Sequence, residues 1–310
     1  MKFNAFGLCL ELKKGKIDNS EKVDADLIRS HITKLNNQHI EYLRKLSLEE
    51  ISSRLTSISY EKVDSLNAER CLKENGIVAF PSVFEEQVRN TDLAISQVLD
   101  IVSNFNKSEK VWDETQKYLI QKGSSRIRGY NALASYAKPV IFIRDGSDEG
   151  MIDVFNADIL FPDFFNEVKN SLSEDSVTHL LSESGKRLKP KNFNLYVNKG
   201  VVNTRGFHVD SYSSQVKGFV YLSDVFSLEQ GPYTYVKESS DDSTLHSLNQ
   251  AISGLDKVKT EAPIIFQKNI VPMFGGKGSF IVSDQSGIHR GFPQCSDAFR
   301  AVAVMNYTQV

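Results

Sequence analysis

The second half of this sequence is built from short apolar runs separated by turn residues, and this pattern restricts the fold more than any other feature. Such runs, mostly without a helical repeat between them, are typical of antiparallel strands rather than of parallel βαβ units. We therefore expect a mainly β fold with flanking helices, whose core is a sandwich or barrel. The expected strands lie in residues 193–197, 215–222, 233–236, 263–271, 278–283 and 298–307.

The front of the chain has a different pattern. Between residues 24 and 66, apolar side chains recur at steps of three and four, which predicts amphipathic helices. Ser47 and Glu50 have the spacing of a capping box, which begins a helix. We divide the chain into a helical N-terminal extension, residues 1–67, packed on a β-rich domain, residues 68–310.

Composition bounds the possible functions. The chain has 310 residues and a formal net charge of -2, which gives no reason to expect a nucleic-acid partner, because such surfaces are strongly basic. Its three cysteines are odd in number and widely separated, so they indicate neither a disulfide framework nor a zinc site, and a cytoplasmic location is expected. No signal peptide and no membrane-spanning run is recognised in the sequence, while peripheral membrane contact and the oligomeric state stay open.

His208 and Asp210 are the first candidates for chemistry. Side chains two apart on an extended strand point to the same face, so this imidazole and this carboxylate can hold one ion. His289, far along the chain, supplies a third ligand. Two imidazoles and one carboxylate leave coordination positions open, as in non-haem Fe(II) oxygenases and unlike the closed sites of structural zinc.

Arg300 is the candidate for binding an anionic cosubstrate near that ion. If the turn after His289 is centred between residues 294 and 295, His289 and Arg300 face each other across a hairpin, with Cβ atoms about 5 Å apart. A guanidinium donates two parallel hydrogen bonds to a carboxylate, so Arg300 is expected to hold the far carboxylate of a dicarboxylate. The alternative is a structural salt bridge.

With these residues the sequence resembles the phytanoyl-CoA dioxygenase family of Fe(II)/2-oxoglutarate oxygenases. The family pattern is H-x-D, a distant histidine, and an arginine about eleven residues beyond it, and the same spacing separates the second histidine from the arginine here. Residues 72–81 are similar to the family's opening helix and first strand, and residues 221–225 and 230–236 to its central strands. The resemblance covers about residues 68–310.

This resemblance implies a double-stranded β-helix, a jelly-roll or cupin-like fold, as the catalytic domain. His208, Asp210 and His289 would then ligate Fe(II). Arg300 would pair with the C5 carboxylate of 2-oxoglutarate. The implied activity is that of a dioxygenase that consumes O2 and 2-oxoglutarate, releases succinate and CO2, and by default hydroxylates its substrate. Related halogenases lack the carboxylate of Asp210, so halogenation is not expected.

Two polar side chains on the expected strand before His208 complete the candidate site. Asn194 and Tyr196 alternate with apolar neighbours, so they would face the cavity and either bind the cosubstrate or substrate, or only line the cavity. The sequence departs from the family at Gly291, where some members have a hydroxyl residue. A secondary cosubstrate contact of those members is therefore not carried over.

Other functions stay open at this point. A protein of this fold could bind metal as an inactive scaffold, or could be a cupin-like metalloenzyme that does not use 2-oxoglutarate. The substrate is expected to be a small molecule, a lipid or a sugar. Lys122, Arg126 and Arg128 lie close together in a loop-like segment, where they would be either solvated charges or a clamp for an acidic substrate.

Overall fold

The computed structural model describes residues 2–5, 8–13, 16–18, 25–105, 111–113, 118–124, 132–133, 138–182, 188–241, 243–254 and 260–309. The helices in these ranges are α1 (Ala25–Arg44), α2 (Leu48–Thr56), α3 (Leu66–Asn75), α4 (Thr91–Ser103), α5 (Ala157–Leu160), α6 (Pro162–Ser171), α7 (Asp175–Ser182) and α8 (Thr244–Ser253). None of them is long and apolar enough to cross a membrane.

The strands form three sheets. They are β1 (Lys2–Ala5), β2 (Leu8–Lys13), β3 (Lys16–Asp18), β4 (Ile77–Phe80), β5 (Val111–Asp113), β6 (Tyr118–Gly123), β7 (Val140–Arg144), β8 (Met151–Phe155), β9 (Leu188–Lys199), β10 (Val216–Tyr221), β11 (Tyr233–Val236), β12 (Ile270–Pro272), β13 (Phe280–Asp284), β14 (His289–Gly291) and β15 (Phe299–Gln309). The large sheet has the order β4-β13-β10-β15-β9-β8-β7-β6-β5, and the two small sheets have the orders β12-β11-β14 and β1-β2-β3. Within the large sheet, β6 and β7 are parallel, and the other neighbours are antiparallel.

A double-stranded β-helix occupies the C-terminal half of the chain. Strands β9, β10, β13 and β15 lie side by side in the large sheet, whereas β11, β12 and β14 form the opposing small sheet. The chain therefore crosses repeatedly between two antiparallel layers, which is the jelly-roll arrangement. The expected mainly β fold with flanking helices is confirmed, and each of the six expected strand segments overlaps a strand of the structure.

Strand β9 has one face against helices and the other toward the interior of the β-helix. The ring of Phe193 packs on Phe165 of α6, with centroids 5.6 Å apart. Successive side chains of a strand point to opposite faces, so the residues between the apolar ones project inward. These inward residues are Asn194, Tyr196 and Asn198.

The N-terminal extension differs in part from the expectation. Helices α1 and α2 are present, and the capping box that begins at Ser47 is formed. Residues 2–18, however, contain the antiparallel sheet β1-β2-β3, so the prediction of a wholly helical extension was wrong there. In β2 the apolar residues Leu8, Leu10 and Leu12 recur at every second position, which is the strand period. The division into two domains stays a prediction.

Helix α1 supports the chain segment that carries His208. Leu43 of α1 is fully buried in a cluster with Phe207 and Val209, the two neighbours of that histidine. The side chain of Asn36 lies beside the same segment, where its Oδ1 accepts a hydrogen bond from the Phe207 amide at 3.1 Å. The extension is therefore packed against the backbone of the candidate site.

We expect Leu43→Ala to destabilise the protein by about 2–5 kcal/mol, because it removes buried methyl groups and leaves a cavity under Phe207. Leu48 is 72% exposed, so Leu48→Ala is the matched control and is expected to change stability by no more than about 0.5 kcal/mol. Urea unfolding followed by circular dichroism measures both. Equal effects of the two substitutions would contradict the packing of α1 described above.

Candidate metal centre

His208 and His289 are joined by one antiparallel β-bridge. The His208 amide donates to the His289 carbonyl at 3.0 Å, and the His289 amide donates to the His208 carbonyl at 2.8 Å. Residues that exchange both backbone hydrogen bonds lie directly opposite each other, with side chains on the same face. The two imidazole rings consequently meet, with centroids 4.7 Å apart.

Asp210 completes a compact group of three donors. One oxygen of its carboxylate, Oδ1, lies 3.8 Å from Nε2 of His208 and 3.7 Å from Nε2 of His289. One ligand atom from each residue lies within 4.8 Å of the others, so the three could hold one metal ion. Two imidazoles and one carboxylate form the donor set that leaves positions open in non-haem Fe(II) sites. The structure thus brings together the three residues that the sequence selected.

Both histidines are oriented in the same way. Nδ1 of His208 is 2.8 Å from the Gly206 carbonyl, and Nδ1 of His289 is 2.9 Å from the Gly287 carbonyl. A carbonyl accepts only from a protonated nitrogen, so each ring carries a proton on Nδ1, and Nε2 is the nitrogen that is turned toward Asp210. Hydrogen bonds of this kind fix the tautomer and orientation of metal-binding histidines.

The protonation states suit metal binding. Burial lowers the pKa of His208 well below its usual value, and the positive charge of Arg205 acts in the same direction. Burial alone would raise the pKa of Asp210, but Lys217 and the two imidazoles outweigh it and hold that pKa well below the usual range. A metal requires neutral imidazole and ionised carboxylate, and these are the forms that the pKa shifts of His208 and Asp210 favour at neutral pH.

Lys217 is a part of the site that sequence reasoning missed. Its Nζ lies 2.5 Å from Oδ2, the second carboxylate oxygen of Asp210, and its side chain is 16% exposed. Burial would lower the pKa of Lys217, but the charge of Asp210 raises it, so the residue is a cation. The available signal was a charged residue within an apolar strand, on the same strand face as Phe219 and Tyr221.

Arg300 lies in the sheet opposite to that of His289. Strand β14 pairs with β11, whereas β15 pairs with β9 and β10, so the expected hairpin between the two residues was wrong. Residues 292–298 cross from one layer of the jelly roll to the other instead of turning back within one sheet. The guanidinium still reaches β14, because a Cβ placed on Gly291 would lie 3.7 Å from Nη2 of Arg300.

The guanidinium of Arg300 is buried and incompletely paired. The residue is 8% exposed, and Nη1 donates to the Gly231 carbonyl. Nε has no hydrogen-bond partner in the part of the chain that the structure describes. Burial lowers the pKa of Arg300, since a charge in an apolar interior is disfavoured. An anion that reaches this interior would meet a positive charge with a free donor.

The remaining sequence candidates have different surroundings. Asn194 is 1% exposed, and its Oδ1 accepts from the Asn156 amide at 3.3 Å. Tyr196 is half-buried, and burial raises its pKa, while the charges of Lys217 and Asp210 also act on its phenol. Whether either side chain binds a ligand stays a prediction.

Only one residue of the expected cationic clamp, Lys122, lies in the part of the chain that the structure describes. Lys122 is exposed at the end of β6. Arg126 and Arg128 lie outside the described residues, so a role for this group in substrate binding also stays a prediction.

The fold has counterparts among solved structures. The non-heme alpha ketoglutarate dependent carbocyclase SnoK from nogalamycin biosynthesis aligns with a TM-score of 0.53 and 17% identity, over 79% of this chain and 85% of that chain. The epimerase SnoN of the same biosynthesis aligns with a TM-score of 0.47 and 13% identity, over 77% and 80%. HygX from Streptomyces hygroscopicus, solved with nickel, 2-oxoglutarate and hygromycin B, aligns at 0.46 and 12%, over 78% and 86%.

These comparisons define the extent of the similarity. No protein-family model matches the sequence, and no curated protein matches it. The similarity to SnoK shows a shared fold at low sequence identity. The assignment of function therefore rests on the geometry of the side chains.

We expect Asp210 and Lys217 to be energetically coupled in the metal-free protein. Asp210→Ala leaves the Lys217 ammonium without its counter-ion. Because the two side chains are 16% and 27% exposed, the change should cost about 1.5–3 kcal/mol of unfolding free energy, the range for a hydrogen bond to a charged group. Adding Lys217→Met should restore part of that loss, with a coupling energy of about 0.5–3 kcal/mol. Urea unfolding of the single and double variants in the presence of a chelator measures the cycle.

The pair of Lys277 and Asp92 is the control for that cycle. Its Nζ to Oδ2 distance is a similar 2.7 Å, but the Asp92 side chain is 71% exposed. An exposed pair of this kind should show a coupling of no more than about 1 kcal/mol. Additive effects of Asp210→Ala and Lys217→Met would refute the coupling of this partly exposed ion pair.

Proposed function

We propose that this protein is an Fe(II)- and 2-oxoglutarate-dependent dioxygenase. The observation that carries the proposal is the convergence of His208, Asp210 and His289 on one point, beside a layer that holds the buried and incompletely paired guanidinium of Arg300. The donor set fits a divalent ion with open positions. The free donor of the arginine fits an anionic cosubstrate.

Bound Fe(II) and 2-oxoglutarate would supply the oxidising chemistry, in which substrate, 2-oxoglutarate and O2 give hydroxylated substrate, succinate and CO2. The chain contributes binding, orientation and the exclusion of water. His208, Asp210 and His289 would hold the iron, and Arg300 would hold the C5 carboxylate of the cosubstrate. Asn194 and Tyr196 are proposed to line the same cavity from β9, with Tyr196 next to the metal ligands.

Finer assignments belong to the same proposal. We infer membership of the phytanoyl-CoA dioxygenase family from the spacing of the four site residues and from the similarity of residues 72–81. Hydroxylation of a small molecule, a lipid or a sugar in the cytoplasm is the expected activity. The Asp210 carboxylate occupies the position that a halide would need, so it favours hydroxylation over halogenation.

We expect purified protein supplied with Fe(II), ascorbate, O2 and 2-oxoglutarate to release succinate, and Arg300→Ala to raise the KM for 2-oxoglutarate. Truncating one partner of a buried charge pair costs about 2–5 kcal/mol, and about 1.4 kcal/mol corresponds to a tenfold change. The KM for 2-oxoglutarate should therefore rise by more than about tenfold. Arg89→Ala removes an exposed arginine paired with Glu86 and should leave the KM unchanged. Succinate is quantified by mass spectrometry.

The same assay decides between this proposal and its alternatives. An inactive scaffold binds Fe(II) but forms no succinate. A cupin-like metalloenzyme that does not use 2-oxoglutarate also forms no succinate, but it converts its own substrate, and that conversion persists in Arg300→Ala. Incubation with cell extract and a search for metabolites that gain one oxygen atom would then identify the substrate.

A further inference from the structure

Asn198 lies directly across a strand pair from Arg300. In the register of β9 and β15 the two residues are opposite each other. Directly opposed residues project from the same face of a sheet, with Cβ atoms about 4.5–5.5 Å apart. That face is turned away from the helix on which Phe193 packs, so it faces the interior of the β-helix. The amide and the guanidinium are therefore neighbours in the interior.

Both side chains have a buried polar atom without a partner among the described residues. Asn198 is 4% exposed and Arg300 is 8% exposed. Neither Oδ1 of Asn198 nor Nε of Arg300 forms a hydrogen bond there. Buried polar atoms nearly always have a partner, so two neighbouring exceptions on one interior face indicate a ligand.

A carboxylate is the ligand class that suits this pair. It has two oxygens and accepts hydrogen bonds only, so it needs at least two donors. Nη1 of Arg300 donates to the Gly231 carbonyl, and Nε remains for one carboxylate oxygen. A half-turn of an amide exchanges its oxygen and nitrogen, so Asn198 can present Nδ2 to the other oxygen.

We propose that Asn198 is a second ligand of the cosubstrate's C5 carboxylate, beside Arg300. The proposal rests on the function proposed above and deepens it. With two residues on the far carboxylate, the site selects a dicarboxylic keto acid over a monocarboxylic one. Asn198 is thus a specificity-determining residue of the cosubstrate site.

Calorimetric titration of Mn(II)-loaded protein under anaerobic conditions tests this assignment without turnover. The probes are 2-oxoglutarate and pyruvate, which share the keto-acid group but differ in the second carboxylate. Asn198→Ala is expected to weaken 2-oxoglutarate binding about 10- to 100-fold, the loss of one hydrogen bond to a charged group, and to leave pyruvate binding unchanged.

Two further variants sharpen the comparison. Asn198→Asp has nearly the same shape but sets a carboxylate against that of the ligand, so it should weaken 2-oxoglutarate binding more than Asn198→Ala does. Asn170→Ala, at an exposed position of α6, is the matched control and should leave the affinity for both ligands unchanged. Asn198→Ser repeats the test if the alanine variant does not fold.

The possible results separate the two proposals. If the wild-type protein binds Mn(II) but not 2-oxoglutarate, the proposed function fails and the role of Asn198 fails with it. If the wild type binds 2-oxoglutarate and the Asn198 variants bind it equally well, Asn198 is not a ligand and the proposed function stands. Equal weakening of 2-oxoglutarate and pyruvate would also overturn the assignment, because it would indicate a structural role.

Discussion

The exchange of two backbone hydrogen bonds between His208 and His289 is the constraint on which the candidate site depends. This bridge is one residue long, so the His208 side has no ladder of its own with β14, whereas His289 is paired on its other side with Tyr235 of β11. The segment that carries His208 is held by hydrogen bonds of its neighbours. The Val209 amide donates to the Thr260 carbonyl at 2.8 Å, and Asn36 of α1 accepts from the Phe207 amide. The N-terminal extension and the loop before β12 are therefore structural parts of the site.

The charges around the bridge are balanced before any metal binds. The ammonium of Lys217 neutralises the carboxylate of Asp210, and burial keeps the imidazole of His208 uncharged. The three donors can lie close together without strong repulsion, which favours a preformed site. A divalent ion then adds two positive charges, and a dianionic cosubstrate that reaches Arg300 would compensate them. The proposed cosubstrate thus has the negative charge that would balance the positive charge of the metal-loaded site.

Local periodicity predicted the parts of this site that depend on one strand. His208 and Asp210 followed from the two-residue period, and so did the inward direction of Asn194 and Tyr196. The relation of His289 to Arg300 did not follow, because the spacing of two strands does not reveal whether they share a sheet. Lys217, Asn198 and Asn36 were missed for the same reason, since their importance comes from neighbours that are distant in sequence. In β1–β3, the alternating leucines of β2 were a local signal that the helical interpretation overlooked.

Two residues on the inward face of β9 lie near different groups of the candidate site. Asn198 is opposite Arg300, whereas the phenol of Tyr196 is close enough to Lys217 and Asp210 for their charges to act on it. Two residues along a strand span about 6.6 Å, so the residue opposite Arg300 and the residue on which the charge of Asp210 acts lie about this far apart along β9. An extended dicarboxylic keto acid is a molecule of comparable length, with a chelating group at one end and a carboxylate at the other. Under the proposed function, the register of β9 against β15 would thus set the length of the cosubstrate that the site accepts.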